Sequence, residues 1–90
     1  MVRVVWTRDA LTNLRLIRHY IEQFDPQAAQ RIAARLIEAG DSPRDFPDRG
    51  RPATGRTREL VTVRPYVLRY RMDGGTVYIL RVRHSARAPD

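Results

Sequence analysis

YVLRYRMDGGTVYILRVR, residues Tyr66–Arg83, decides the fold. Two runs rich in β-branched and aromatic residues, Tyr66–Met72 and Thr76–Arg83, flank Asp73-Gly74-Gly75, so the stretch reads as a β-hairpin closed by a glycine turn. Side-chain alternation argues the register. A two-residue loop would mix polar and apolar faces. A three-residue loop pairs Tyr70 with Tyr78, Leu68 with Leu80 and Tyr66 with Val82, and sets Arg69 beside Ile79 and Val67 beside Arg81. That register is the expected one, with a glycine in the left-handed region supplying the bulge such a loop needs.

Working outward, Glu59–Val63 reads as the strand before the hairpin. Residues 41–56 hold three prolines, two glycines and mixed charges, and read as loop. Ahead of the loop lie two helical patterns. Ala10, Leu14, Ile17, Ile21 and Phe24 recur at helical spacing, with Leu11 and Tyr20 widening the stripe and Thr7 as N-cap. Asp25-Pro26 ends this helix and starts the next, since aspartate caps and proline suits the first turn. The second helix buries Ala28/Ala29, Ile32/Ala33 and Leu36/Ile37 and is expected to stop at Gly40. Val2–Trp6 is a first strand. The order β-α-α-β-β-β predicts a single α+β domain over residues 1–90, with a helix hairpin packed on one face of a small, mostly antiparallel sheet.

With that register the core face carries Val2, Val4, Trp6, Leu68, Tyr70, Leu80 and Val82. The other face carries Arg3, Val5, Val67, Arg69, Arg71, Val77, Ile79, Arg81 and Arg83, five arginines among four aliphatics. The chain holds seventeen basic residues, all arginine, against ten acidic ones, for a net charge of +7. Coding bias accounts for the absence of lysine. The clustering of arginine on one face points to an acidic partner, because guanidinium is suited to bidentate carboxylate or phosphate recognition.

Other classes fall away. Without cysteine there is no disulfide framework, thiolate metal site or cysteine nucleophile. No apolar run is long enough for a membrane helix and no signal peptide is visible, so a cytoplasmic protein is expected. No phosphate-binding glycine loop, HExxH motif or Ser/His/Asp spacing is present, and no cofactor or metal is expected. His19 reads as a solvated helix residue. His84, at the end of the last strand beside Arg83 and Arg87, is a candidate acid–base group, with strand-end packing as its plainer role, and Glu59 is a candidate base. Glu59 is expected to pair with a neighbouring arginine such as Arg58.

In combination these segments resemble the ParE/RelE superfamily of bacterial toxins from type II toxin–antitoxin modules. The resemblance rests on VVWTRDALTNLRLIRHYI at the start, QAAQRIAARL after Asp25-Pro26, PDRGRP in the loop, TRELV, PYVLRYR at Pro65–Arg71 and ILRVRHSARAP at Ile79–Pro89. Together they cover nearly the whole chain and look like the ParE branch, also called plasmid stabilisation proteins. The resemblance implies a toxin bound and neutralised by a small ParD-like antitoxin with an acidic C-terminal region, in a hetero-oligomer that contacts DNA only through the antitoxin. The surface implied for antitoxin or target is Arg3, Val5, Val67, Arg69, Arg71, Val77, Ile79, Arg81, Arg83, His84 and Arg87. ParE-like toxins are associated with inhibition of DNA gyrase without nuclease chemistry. RelE-like toxins cut mRNA on the ribosome, and on that alternative Arg69, Arg81 and His84 would be catalytic. Many RelE-like sequences carry an arginine where this chain has Val67, and their lysines have no counterpart here. Both departures favour the gyrase reading.

Overall fold

Thr7 is the point at which strand turns into helix. Its hydroxyl accepts the Ala10 N–H at 3.3 Å and donates to the Ile79 carbonyl at 2.8 Å. One side chain thus caps a helix and ties its start to the sheet. The computed structural model describes residues 2–86. In it β1 (Arg3–Trp6) leads through Thr7 into α1 (Arg8–Glu22). Asp25 then caps α2 (Pro26–Asp41), its Oδ1 accepting the Ala28 N–H at 3.1 Å.

The second helix does not stop at Gly40. It runs on to Asp41 and into a short 3-10 turn at Ser42–Arg44. Gly40 is glycine for space rather than for a helix end: a Cβ there would stand 2.5 Å from Cζ2 of Trp6. The missing side chain lets the indole of β1 lie against α2.

Four strands follow: β2 (Arg51–Pro52), β3 (Thr57–Val63), β4 (Tyr66–Asp73) and β5 (Thr76–His84). The two-residue β2 lies inside the stretch expected to be all loop. The sheet order is β1-β5-β4-β3-β2, and only β1 with β5 is parallel. The α+β class and the helix hairpin on a mostly antiparallel sheet are as expected.

The hairpin register differs from expectation. Asp73 pairs with Thr76 and Met72 with Val77, so the turn holds two residues, Gly74 and Gly75, with Gly74 at φ 61°. Tyr70 therefore pairs with Ile79, not Tyr78. The next pair is Arg69 with Arg81, which leaves Leu80 without a partner as a β-bulge. The bulge lets both ends of β5 face the core correctly. Val77 and Ile79 precede it, Val82 follows it, and all three are buried in one cluster with Leu68, Tyr70, Leu36, Leu60 and Ala10. Val77 and Ile79 are thus core residues and not part of the arginine-bearing face. Leu80 leaves the core for a half-buried position.

The tyrosine at position 70 also anchors the long connection. Its hydroxyl donates to the Pro47 carbonyl at 2.6 Å and accepts the Gly50 N–H at 3.0 Å. On α1 the apolar stripe is wider than the contact it makes. Leu14 and Ile17 pack on the core, whereas Leu11, Tyr20 and Phe24 are exposed, as is Leu16.

Candidate functional site

β1 ends at Trp6, opposite Ile79, while β5 continues to His84. Past Ile79 no strand among the described residues lies beside the outer edge of β5, and α1 crosses there instead. Asn13 of α1 accepts the Val82 N–H through Oδ1 at 3.0 Å, satisfying a ladder donor that a neighbouring strand would have taken. Its sequence signal was a polar residue among the apolar positions of the α1 stripe, a signal the periodicity argument passed over.

Beside this contact lies a groove of about 820 Å³ between α1 and the end of β5. Leu16, Ile17, Tyr20, Tyr66 and Val82 give it an apolar lining. Asn13, His19, Gln23, Arg81, Arg83, His84 and Ala86 also line it, and none of the described lining residues is acidic. Because the groove follows a strand edge, residues from both faces of the sheet border it. Tyr66 meets His84 edge-on at 5.8 Å between ring centres, and Tyr20 meets Phe24 in the same way at 5.4 Å. Burial, and secondarily the neighbouring Tyr20, push the Tyr66 phenol above its ordinary value, so it stays protonated at neutral pH. The His84 Nδ1 accepts the Ala86 N–H at 3.0 Å. A neutral ring so held carries its proton on Nε2 and presents a donor there.

On the sheet face away from the helices, Glu59 gathers three arginines. Its Oε2 accepts from Arg69 at 3.0 Å and Arg83 at 3.2 Å, and its Oε1 from Arg51 at 3.4 Å. Glu59 is 6% exposed. Burial by itself would raise its carboxyl, but hydrogen bonds from Arg69 and Arg83 and their charge outweigh that and hold it below the ordinary carboxylate range. Its partner is therefore not Arg58, which pairs with Asp48 at 3.4 Å and donates to the Gly50 carbonyl at 2.7 Å. Cross-strand pairing explains the choice: Glu59 stands opposite Arg69 in the β3–β4 ladder, on the face that Arg58 turns away from.

The expected surface is thus partly assembled and partly dispersed. Arg81, Arg83 and His84 border one groove. Arg69 and Arg83 are tied to Glu59, their side chains only 15% and 14% exposed. Arg71 lies over the Tyr78 ring at 5.8 Å and within 4.0 Å of Asp73. Val67 pairs with Arg83 and is buried outside the main core cluster. Arg3 is exposed near the start of β1, and Val5 is half-buried beside Tyr78. Val77 and Ile79 belong to the core, and Arg87 lies outside the described residues. Of the three residues named for nuclease chemistry, Arg81 and His84 share the groove, whereas Arg69 is not among its lining.

The architecture and the sequence have known counterparts. The chain is 56% identical over 87 residues to toxin RelE2 of Caulobacter vibrioides, covering 97% of this chain and 99% of that protein. It is 44% identical over 85 residues to the putative toxin Y4kP of Sinorhizobium fredii, covering 92% and 88% of the two chains. A chain of the chromosomal ParDE toxin–antitoxin system of P. aeruginosa superposes with a TM-score of 0.82 at 27% identity, over 93% of this chain and 96% of that one. Residues 4–89 match the model of the ParE toxin of the type II toxin–antitoxin system parDE. With a match over nearly its whole length and the helix hairpin and sheet of the ParDE fold, the chain belongs to the ParE toxin family of type II toxin–antitoxin systems.

Proposed function

We propose that this toxin is neutralised by a ParD-kind antitoxin seated in the groove between α1 and β5, and that the free toxin binds DNA gyrase without nuclease chemistry. The groove carries the first half of the reading. Its lining is apolar, its margin holds Arg81, Arg83, His19 and His84, and among the described residues none that line it is acidic. An amphipathic segment with carboxylates along one side is complementary to it. Because Asn13 already occupies the Val82 N–H, a helix laid in the groove fits better there than a strand added to β5. The toxin and antitoxin form a cytoplasmic hetero-oligomer in which the antitoxin makes the DNA contact.

Two observations support a gyrase target over RNA cleavage. Position 67 is a buried valine, where many RelE-like sequences carry an arginine. Arg69, the nearest substitute, is engaged with Glu59. The second reading, a ribosome-dependent mRNA endonuclease, is favoured by the meeting of Arg81, Arg83 and His84 in one groove and by a relative bearing the name toxin RelE2. Expression of the chain without antitoxin separates the two. Loss of DNA supercoiling with intact mRNA is the expected result. Normal supercoiling with mRNA cut in phase with codons would establish the endonuclease instead.

A further inference from the structure

Glu59 does not border the groove, yet it touches a residue that does. Arg83 lines the groove, and its guanidinium reaches Glu59 Oε2 at 3.2 Å. The same oxygen accepts from Arg69 at 3.0 Å, and Oε1 takes Arg51 at 3.4 Å. The carboxylate is 6% exposed and the Arg83 side chain 14%. An arginine on a strand end has many rotamers, and ordering it on binding costs affinity unless it is ordered beforehand. Here the ordering is built into the sheet: β3 supplies the carboxylate, β4 supplies Arg69 as a brace, and β5 supplies Arg83.

We infer that Glu59 is a positioning residue for antitoxin binding: it fixes the Arg83 guanidinium, braced by Arg69, in the orientation that receives a carboxylate of the antitoxin in the groove. The inference rests on the groove reading proposed above. It makes a prediction opposite in sign to simple charge counting. Glu59→Gln makes a chain of net charge +7 more positive by one unit. If charge alone mattered, an acidic partner would associate faster and bind more tightly. If Glu59 positions Arg83, the variant binds more weakly because dissociation quickens, even though association is unchanged or faster.

The experiment measures association and dissociation rates of the purified ParD-kind antitoxin on the wild-type toxin, Glu59→Gln, Arg83→Ala and the double variant. The expected result is a dissociation rate raised about tenfold in Glu59→Gln, with no further change when Glu59→Gln is added to Arg83→Ala. Arg51→Ala, which removes only the solvent-side contact, keeps a dissociation rate near that of wild type. A folded Glu59→Gln that binds as tightly as wild type or more so overturns the inference. So does a loss that persists unchanged in the Arg83→Ala background, since it would then not act through Arg83. If Arg83→Ala and Leu16→Ala both leave the affinity unaltered, the groove reading itself falls and takes this inference with it. Should Glu59→Gln not fold, NMR of the wild-type chain decides. A fixed guanidinium gives separate Arg83 Nη proton signals, and a single averaged signal overturns the inference.

Discussion

At position 59 a carboxylate stands among three guanidiniums, and the balance between burial and pairing decides its behaviour. Desolvation disfavours its charge, and Arg69 and Arg83 more than restore it. Because the folded value lies below the ordinary 4.5, the ionised group stabilises the fold at pH above that value. This stabilisation is lost as pH falls through the folded value, where the native carboxyl protonates. Chemical unfolding of wild type and Glu59→Gln from pH 7 to pH 2 should therefore give stabilities that converge as the pH drops. A gap that is constant with pH would show that Glu59 acts through packing alone. At neutral pH the variant should lose about 1–2 kcal/mol, the scale of trading charge-assisted hydrogen bonds for neutral ones. Gly40 offers a second test at the same scale. Gly40→Ala drives a methyl into the Trp6 ring and should cost about 2 kcal/mol of overpacking, read as a lowered Tm.

Between elements, the joint of α1 with β5 depends on two side chains. Thr7 caps the helix and reaches the Ile79 carbonyl, and Asn13 takes the Val82 N–H one helical turn and more along. Asn13→Ala leaves that N–H without its acceptor at a half-buried edge and should cost about 1–2 kcal/mol. The Val82 amide should then exchange faster than its β5 neighbours, which hydrogen exchange measures directly. The bulge at Leu80 belongs to this scale too. Helices, their N-caps and the hairpin were readable from spacing because they depend on neighbours within a few residues. The register was not, because like-with-like pairing assumes an uninterrupted ladder. A two-residue turn plus one extra residue places Val77, Ile79 and Val82 all in the core, a solution that strict alternation excludes.

Over the whole molecule, charge and apolar surface meet at the α1–β5 groove. Arg15 and Arg18 lie on the exposed side of α1, outside the groove, whereas Arg81 and Arg83 border it. Replacing Arg81 and Arg83 together by alanine should weaken antitoxin binding about tenfold or more, and replacing Arg15 and Arg18 should change it by less than about threefold. Titrations of the two double variants at equal net charge provide the comparison. Equal losses would mean that total charge, not the groove, governs binding. Association of the wild type should also slow as salt rises, because screening shortens the reach of its field to about 8 Å near physiological ionic strength.

The sequence by itself determined the two helices, the four longer strands, their order, the α+β class and the kinship with ParE/RelE toxins, since these depend on local periodicity, N-caps and the order of motifs; the two-residue β2 and the 3-10 turn escaped it. It also placed Arg81, Arg83 and His84 together, because they are nearly adjacent on one strand. Only the tertiary structure decided which arginines a carboxylate would hold. Glu59 meets Arg69 and Arg83 across three strands, and no spacing along the chain encodes that meeting. The groove was likewise settled in three dimensions. It exists because β1 is shorter than β5 and α1 crosses the edge that the described strands leave uncovered, a relation between elements that is absent from either one alone.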